Sequence, residues 1–265
     1  MNGVTPRDRI KGVAGAGVAR IAPQCDYRRA ILVLAHMRCG STALSNILCS
    51  RSDVSGYGEA HVRHDGTGAL GRLLVNQALR RAWRPGARHL FDKVLHSRHD
   101  AEAPPDFFAA RVIFVAREPR PTIRSIRALF DRIGRGEYAT DTAAAEYYVS
   151  RLAALSTMWP RFAPDRRAGV THAALVRAPE AELARISTDL DLTPPLENRY
   201  ESPAASRRGG GGDPVTSGRH TRIERAPAVA AAHPDPDVPP TLLQAADAAY
   251  ARFVTMIAPA DGSGH

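Results

Sequence analysis

Residues 36–42 (HMRCGST) combine residue types that bind anions, and they follow an uninterrupted apolar run from Ala30 to Ala35. A buried strand, a glycine-containing turn and a helix that opens on hydroxyls together predict a phosphate site. Amides at a helix start have no partner within the helix, and the helix dipole favours negative charge there. Arg38 adds a full positive charge, and Ser41 and Thr42 add side-chain donors. The alternative is an ordinary strand-to-helix turn with a Ser or Thr cap.

A second cation follows a second apolar run, because Arg117 comes directly after residues 112–116 (VIFVA). At a strand end its guanidinium can fork onto a phosphate, and Ser125 on the following helix can donate from the same side. The alternative is an ion pair between Arg117 and Glu118 or Asp131. Two cationic strand ends in one chain favour the phosphate interpretation.

A third group of polar residues accompanies the run HLFDKVL, which predicts a buried strand containing Lys93. His96 lies just past its carboxyl end, where ligands bind in open α/β sheets. A buried, unpaired ammonium is costly, so Lys93 either serves a site or pairs with Asp92 or Glu59. His61, His64 and His99 lie nearby in sequence, and we expect most of these histidines at the surface.

The first loop differs from the ATP-binding loop G-x-x-x-x-G-K-[ST], because no Lys precedes Ser41. It resembles instead the 5′-phosphosulfate loop of sulfotransferases that use 3′-phosphoadenosine 5′-phosphosulfate (PAPS), whose form R-x-G-[ST]-[ST] recurs in tyrosylprotein and carbohydrate members. The resemblance implies that PAPS is the co-substrate. It also implies that the following residues bind it: Arg38, Cys39, Gly40, Ser41, Thr42 and Ala43.

Three further segments resemble the same family. The 3′-phosphate motif R-[DE]-P-R, with a Ser eight residues after its first Arg, corresponds to Arg117 and Ser125. Residues 53–61 resemble the segment of tyrosylprotein sulfotransferases in which a G-E pair supplies the catalytic carboxylate, and that role falls on Glu59. Lys93 aligns with the Lys at the end of the third strand. Cytosolic members have Lys-x-His there, whereas this chain has Lys93-x-x-His96.

The resemblance implies in-line sulfuryl transfer, in which catalysis rests on positioning and charge. Glu59 is the expected base and His96 the second choice, while Lys93 and Arg38 stabilise the departing oxygen. Many members have a basic, Gly-containing late loop near the 3′-phosphate. That comparison adds Arg207, Arg208 and Arg219 as cofactor residues, with a flexible linker as the equal alternative.

The elements that must position these residues alternate between strand and helix. This order predicts an α/β fold, a single P-loop-like domain with a central, mostly parallel five-stranded sheet flanked by helices and the first strand in the middle. The predicted strands cover residues 30–35, 53–57, 88–95, 112–116 and 168–172. The predicted helices include residues 68–83, with Leu79 in the buried stripe, and residues 140–159 and 179–192.

The expected domain organisation is a flexible N-terminal arm over residues 1–28 and a sulfotransferase domain over residues 29–265. Within that domain, residues 201–240 form a long cofactor or substrate loop, because so long a connection without structure is unusual in a compact domain. Residues 241–258 form a C-terminal helix.

The net charge of +9 and a pI near 10.1 favour a polyanionic partner, such as a phosphorylated cofactor. Three cysteines suit a reducing compartment, and no run suggests a signal peptide or a membrane span, so we expect a soluble cytoplasmic protein. No residue cluster indicates a metal. A high-GC composition suggests a bacterial enzyme of secondary metabolism.

The expected acceptor is a hydroxyl of a small molecule or glycan, with no nucleic-acid or membrane partner, and the oligomeric state stays open. Two alternatives remain. An ATP-dependent P-loop-like kinase would need a loop Lys and an acidic magnesium ligand. A non-enzymatic basic nucleic-acid-binding protein would show salt-sensitive affinity and basic residues interleaved with aromatics, which are few here.

Overall fold

The computed structural model describes residues 15–207, 220–225 and 235–258. Within them five strands form one sheet in the order β2-β3-β1-β4-β5, and every neighbouring pair is parallel. The predicted α/β architecture with the first strand in the middle is therefore confirmed. The strands are β1 (Ala30–Ala35), β2 (Val54–Ser55), β3 (His89–Val94), β4 (Arg111–Ala116) and β5 (Arg167–Thr171).

Helices flank this sheet. They are α1 (residues 15–21), α2 (Ser41–Ser50), α3 (Ala69–Leu79), α4 (Pro119–Ile133), α5 (Asp141–Met158), α6 (His172–Arg177), α7 (Pro179–Asp189), α8 (Ala204–Arg207) and α9 (Pro240–Ile257). Helices α2 and α3 contact β3, whereas α5 contacts β1 and packs against α4 and α9. None of the described helices has the length and apolarity needed to cross a membrane.

The centre of the sheet explains where the site lies. All six residues of β1 are fully buried, because the strand has neighbours on both edges and helices over the sheet. Its register pairs Leu34 with Val94 of β3 and Ala35 with Val115 of β4. The three central strands therefore end at one edge, and the loops that follow them meet there.

Several boundaries differ from the predictions. Strand β2 has two residues instead of five, and α3 ends at Leu79 instead of Trp83. The Leu79 side chain is 81% exposed, because it lies at the end of the helix, past the buried stripe. Helix α6 was absent from the predicted elements.

His64 corrects the expectation of a surface histidine, because it is fully buried. Its Nδ1 lies 3.0 Å from the hydroxyl of Tyr27, and its Nε2 lies 3.1 Å from Oδ2 of Asp92. These two partners satisfy both ring nitrogens in the interior. Both partners, Tyr27 and Asp92, are far from His64 in the sequence.

Candidate active site

The loop between β1 and α2 carries two residues in the left-handed backbone region, Arg38 with φ 64° and Gly40 with φ 87°. Gly40 is the N-cap residue of α2, and no side chain caps this helix start. A Cβ at Gly40 would lie 2.7 Å from Cδ2 of His172, so backbone conformation and space both require glycine there. The uncapped amides of α2 remain open to an anion.

The two predicted phosphate elements are in direct contact. Nε of Arg38 donates to Oγ of Ser125 over 2.8 Å, and Nη1 of Arg117 donates to the carbonyl of Arg38 over 3.1 Å. The guanidinium of Arg117 therefore binds the loop, whereas the nearest cation to Asp131 is Arg127 at 3.6 Å. One ligand can reach both elements.

His36 joins the same two elements through its ring. Its Nδ1 donates to the carbonyl of Met37 over 2.9 Å, and its Nε2 accepts from the amide of Arg117 over 3.0 Å. Acceptance at Nε2 requires the neutral ring, and complete burial lowers the pKa of His36 to about 4. The loop is thus fastened to the end of β4 before any ligand binds.

A cavity of about 280 Å³ opens beside this loop. Loop residues 38 and 40–43 line one wall, and Glu59, Lys93 and Arg117 line the others. Cys39 is fully buried under the loop, and burial raises the pKa of its thiol. Ser125 holds Arg38 from behind, and His96 does not line the cavity.

Lys93 and Glu59 form the charged part of the cavity wall. Lys93 is 1% exposed, and its Nζ lies 3.4 Å from Oγ1 of Thr42. Burial lowers the pKa of Lys93, and the carboxylate of Glu59 opposes this shift. Burial by itself raises the pKa of Glu59, but His61, Lys93 and His96 outweigh it and hold the pKa below its ordinary value. A carboxylate and an ammonium therefore face the same space.

Residues 73–195 match the model of a family described as a sulfotransferase family. The match covers just under half of the chain and supports a place for this protein in the sulfotransferase family. The match includes Lys93, His96, Arg117 and Ser125, whereas the first loop and Glu59 precede it. It also supports sulfuryl transfer as the general activity.

Two solved structures are similar to this chain. The Sulfotransferase Domain from the Curacin Biosynthetic Pathway is 17% identical with a TM-score of 0.50, covering 87% of this chain and 97% of that chain. This likeness shows a shared fold. A Sulfotransferase from Alicyclobacillus acidocaldarius is 13% identical with a TM-score of 0.49, covering 86% and 93%. None of the curated proteins matches the chain.

In the part of the chain that the structure describes, a buried polar atom without a partner lies at the side chain of Arg117. Nε of Arg117 is buried and has no hydrogen-bond partner among the described residues. Burial lowers the pKa of Arg117, and the carboxylate of Glu118 opposes that shift. A phosphate at this position would accept the unused N–H and compensate the desolvation of the guanidinium. The residues present therefore fit a phosphorylated co-substrate.

Three histidines lie close to the carboxylate of Glu59. Nδ1 of His61 is 3.2 Å from Oε1 of Glu59, an ion-pair contact whose geometry falls short of a hydrogen bond, and Glu59 raises the pKa of His61. Burial lowers the pKa of both His96 and His99 to about 4, so both rings are neutral near pH 7. His96 lies behind the cavity wall, with its ring 5.3 Å from that of Tyr147.

Some cavity residues were missed by sequence reasoning. His172 follows the carboxyl end of β5, and the rule that ligands bind at that edge could have identified it. Asn46, Tyr200 and His220 also line the cavity. The amide of Tyr200 donates to the carbonyl of Thr221 over 2.7 Å, a long-range contact that no local pattern signals.

The structure does not test the predicted cofactor role of Arg207, Arg208 and Arg219. Arg207 is the last residue of α8, and Arg208 and Arg219 lie outside the described residues. Within the described ranges, no group of three or more His, Cys, Asp or Glu side chains is arranged to hold a metal ion.

Proposed function

We propose that this protein is a sulfotransferase that moves a sulfuryl group from PAPS to a hydroxyl of a small molecule or glycan. The observation that carries the proposal is the cavity, because one space of about 280 Å³ is lined by the glycine loop, Arg117, Lys93 and Glu59. These residues supply anion binding, a second phosphate contact, a cation and a base.

The sulfuryl donor would lie between the two contacting elements. The amides that open α2, with Ser41 and Thr42, would hold the 5′-phosphosulfate, and Arg117 would hold the 3′-phosphate. Ser125 suits the same role, because its Oγ accepts from Arg38 and its hydroxyl proton stays available for a phosphate oxygen. PAPS supplies the activated sulfuryl group when bound.

Transfer would proceed by in-line displacement. The acceptor oxygen forms a bond to sulfur as the bond from sulfur to the bridging phosphate oxygen breaks, and the acceptor proton moves to Glu59. The ammonium of Lys93, with Arg38, would stabilise the negative charge that develops on the departing oxygen. The products are a sulfate ester and 3′-phosphoadenosine 5′-phosphate (PAP).

Glu59 is the better supported of the two candidate bases. Its carboxylate lines the cavity and is ionised near pH 7, whereas His96 does not reach the cavity wall. Neutral His96 could accept a proton only after a movement that brings its ring into the cavity.

Calorimetric titration with PAP, ATP and a short DNA duplex tests the proposal. We expect PAP to bind at least about tenfold more tightly than ATP, because only PAP carries a phosphate for each element. Tighter binding of ATP would favour a kinase, and affinity for the duplex alone would favour a nucleic-acid-binding protein.

A further inference from the structure

Backbone pairing ends where the cavity begins. The parallel ladder between β1 and β3 has its last paired residues at Leu34 and Val94. Beyond them the chain that leaves β1 turns into the glycine loop, while the chain that leaves β3 passes through Leu95 to His96. Met37 and Leu95 both line the cavity. Some other contact must hold these two segments at a fixed separation.

Helix α5 supplies that contact through two side chains one turn apart. The hydroxyl of Tyr147 accepts from the amide of Met37 over 2.9 Å and donates to the carbonyl of Leu95 over 2.7 Å. Nε and Nη2 of Arg151 donate over 3.0 Å to the carbonyls of Ala35 and Val94, respectively. Each residue therefore bridges β1 to β3, and Tyr147 does so past the end of the ladder.

Both bridging side chains are themselves held in place. Arg151 is 1% exposed and forms a two-point pair with Asp100, over 2.9 and 2.8 Å. This fork fixes the guanidinium plane, because each N–H has a defined acceptor. The ring of Tyr147 contacts those of Tyr138 and His96, with each centroid 5.3 Å away. The bridge is therefore stiff enough to set a distance.

We infer that Tyr147 is a positioning residue for sulfuryl transfer, with Arg151 as its support, and this inference rests on the proposed function. Tyr147 sets the separation between the loop that holds the sulfuryl donor and the strand end that carries Lys93. It does not line the cavity, so it acts through Met37 and Leu95. A misplacement of about 1 Å between reacting groups can lower a rate about 100-fold.

The substitution Tyr147→Phe tests this role, because it removes only the bridging oxygen. Ser187→Ala is the matched control. The Ser187 hydroxyl is also buried, donates to the carbonyl of Leu183 over 2.6 Å and accepts from the amide of Leu196 over 2.8 Å, away from the cavity. Each variant removes one hydroxyl that joins an amide to a carbonyl, and leaves the amide of Met37 or of Leu196 without that partner.

Three measurements are made on each full-length variant. The first is PAP affinity by calorimetry, and the second is hydrogen exchange resolved by peptide. The third is kcat, measured as the PAP formed from PAPS. Its acceptor is the best alcohol found in a panel of phenols, aliphatic alcohols and sugars. We expect Tyr147→Phe to lower kcat about 10–100-fold while PAP affinity stays within about threefold. Ser187→Ala leaves both within about threefold. Peptides covering residues 36–42 exchange faster only in Tyr147→Phe.

Equal losses of kcat in the two variants would overturn the inference, because they would reflect stability alone. So would an unchanged kcat, or unchanged exchange over residues 36–42, in Tyr147→Phe. A wild-type protein that neither binds PAP nor consumes PAPS would overturn the proposed function instead. The exchange measurement would still decide whether Tyr147 holds the loop.

Discussion

The two sides of the cavity are built differently. On the side of the sulfuryl donor, residues 36–40 and 117–125 bond to each other through His36, Arg38 and Arg117. On the proposed acceptor side, Nδ1 of His61 lies 3.2 Å from Oε1 of Glu59, and the ring of His61 contacts that of His99 with 5.8 Å between centroids. There the buried atoms Oε1 of Glu59 and Nδ1 of His99 have no hydrogen-bond partner among the described residues.

This difference assigns distinct tasks to the two sides. In the proposed reaction the donor side is arranged before the nucleotide binds, so little conformational entropy is lost on binding. The proposed acceptor side has buried polar atoms that an acceptor hydroxyl could bind. Its backbone is still anchored from behind, because Oδ1 of Asp92 accepts from the amides of Ala60 and Lys93.

The largest expected effect is on the acceptor side. Glu59→Gln should lower kcat about 10²–10⁴-fold, because it removes the group that accepts the hydroxyl proton. PAP affinity should stay within about threefold, since the donor side is untouched. PAP formation from PAPS and calorimetry provide the two measurements. His96→Gln is the companion variant, and a larger loss of kcat there than in Glu59→Gln would make His96 the base.

On the donor side, Arg117→Lys should weaken PAP binding about 10–100-fold. The variant keeps the charge but loses the fork, and hydrogen bonds to charged groups contribute about 1.5–3 kcal/mol. Binding of AMP, which lacks the 3′-phosphate, should weaken less. Arg111→Lys is the control, because Arg111 begins the same strand at the opposite edge and donates to the carbonyl of Leu190. Equal losses for PAP and AMP would argue against a 3′-phosphate contact.

Two glycine substitutions separate the cost of a positive φ from the cost of a steric clash in the loop. Gly40→Ala should lower the free energy of unfolding by about 2 kcal/mol and weaken PAP binding, because both the positive φ and the ring of His172 oppose a Cβ. Gly134→Ala, with φ 65° but open space around it, should cost about 1 kcal/mol and leave binding unchanged. Urea unfolding and calorimetry measure both, and equal costs would remove the proposed clash with His172.

The smallest effects concern pH, and His36 and His61 should respond with opposite sign. His36 has a lowered pKa, so its contribution to stability is present above its ordinary pKa of 6.5 and is lost as pH falls toward 4. His61 has a raised pKa, so its contribution is complete below 6.5 and is lost as pH rises through the raised value.

Urea unfolding as a function of pH tests this contrast. Replacing His36 with Gln should remove about 1–2 kcal/mol of the stability loss that the wild type shows between about pH 7 and pH 5. His61→Gln should instead flatten the curve on the alkaline side, by a smaller amount because the ring is about half exposed. Acid-side slopes that are identical in the His36 variant and the wild type would contradict the buried neutral ring.

Sequence reasoning succeeded where a feature is local. The apolar run of β1 and the turn with Arg38 and Gly40 are contiguous, so their placement at the sheet edge follows from strand order. It failed where the feature depends on distant partners. Nothing near Tyr147 or Arg151 indicates that their side chains bond to strand ends that are 50–120 residues away. The burial of His64 depends on Tyr27 and Asp92 in the same way.

A crystal structure with PAP bound tests the central claim most directly. The account predicts the 5′-phosphate within hydrogen-bond distance of the amides of residues 40–42, and the 3′-phosphate on Arg117 and Ser125, all in one molecule. A nucleotide bound elsewhere, or one whose 3′-phosphate lies away from Arg117, would contradict it.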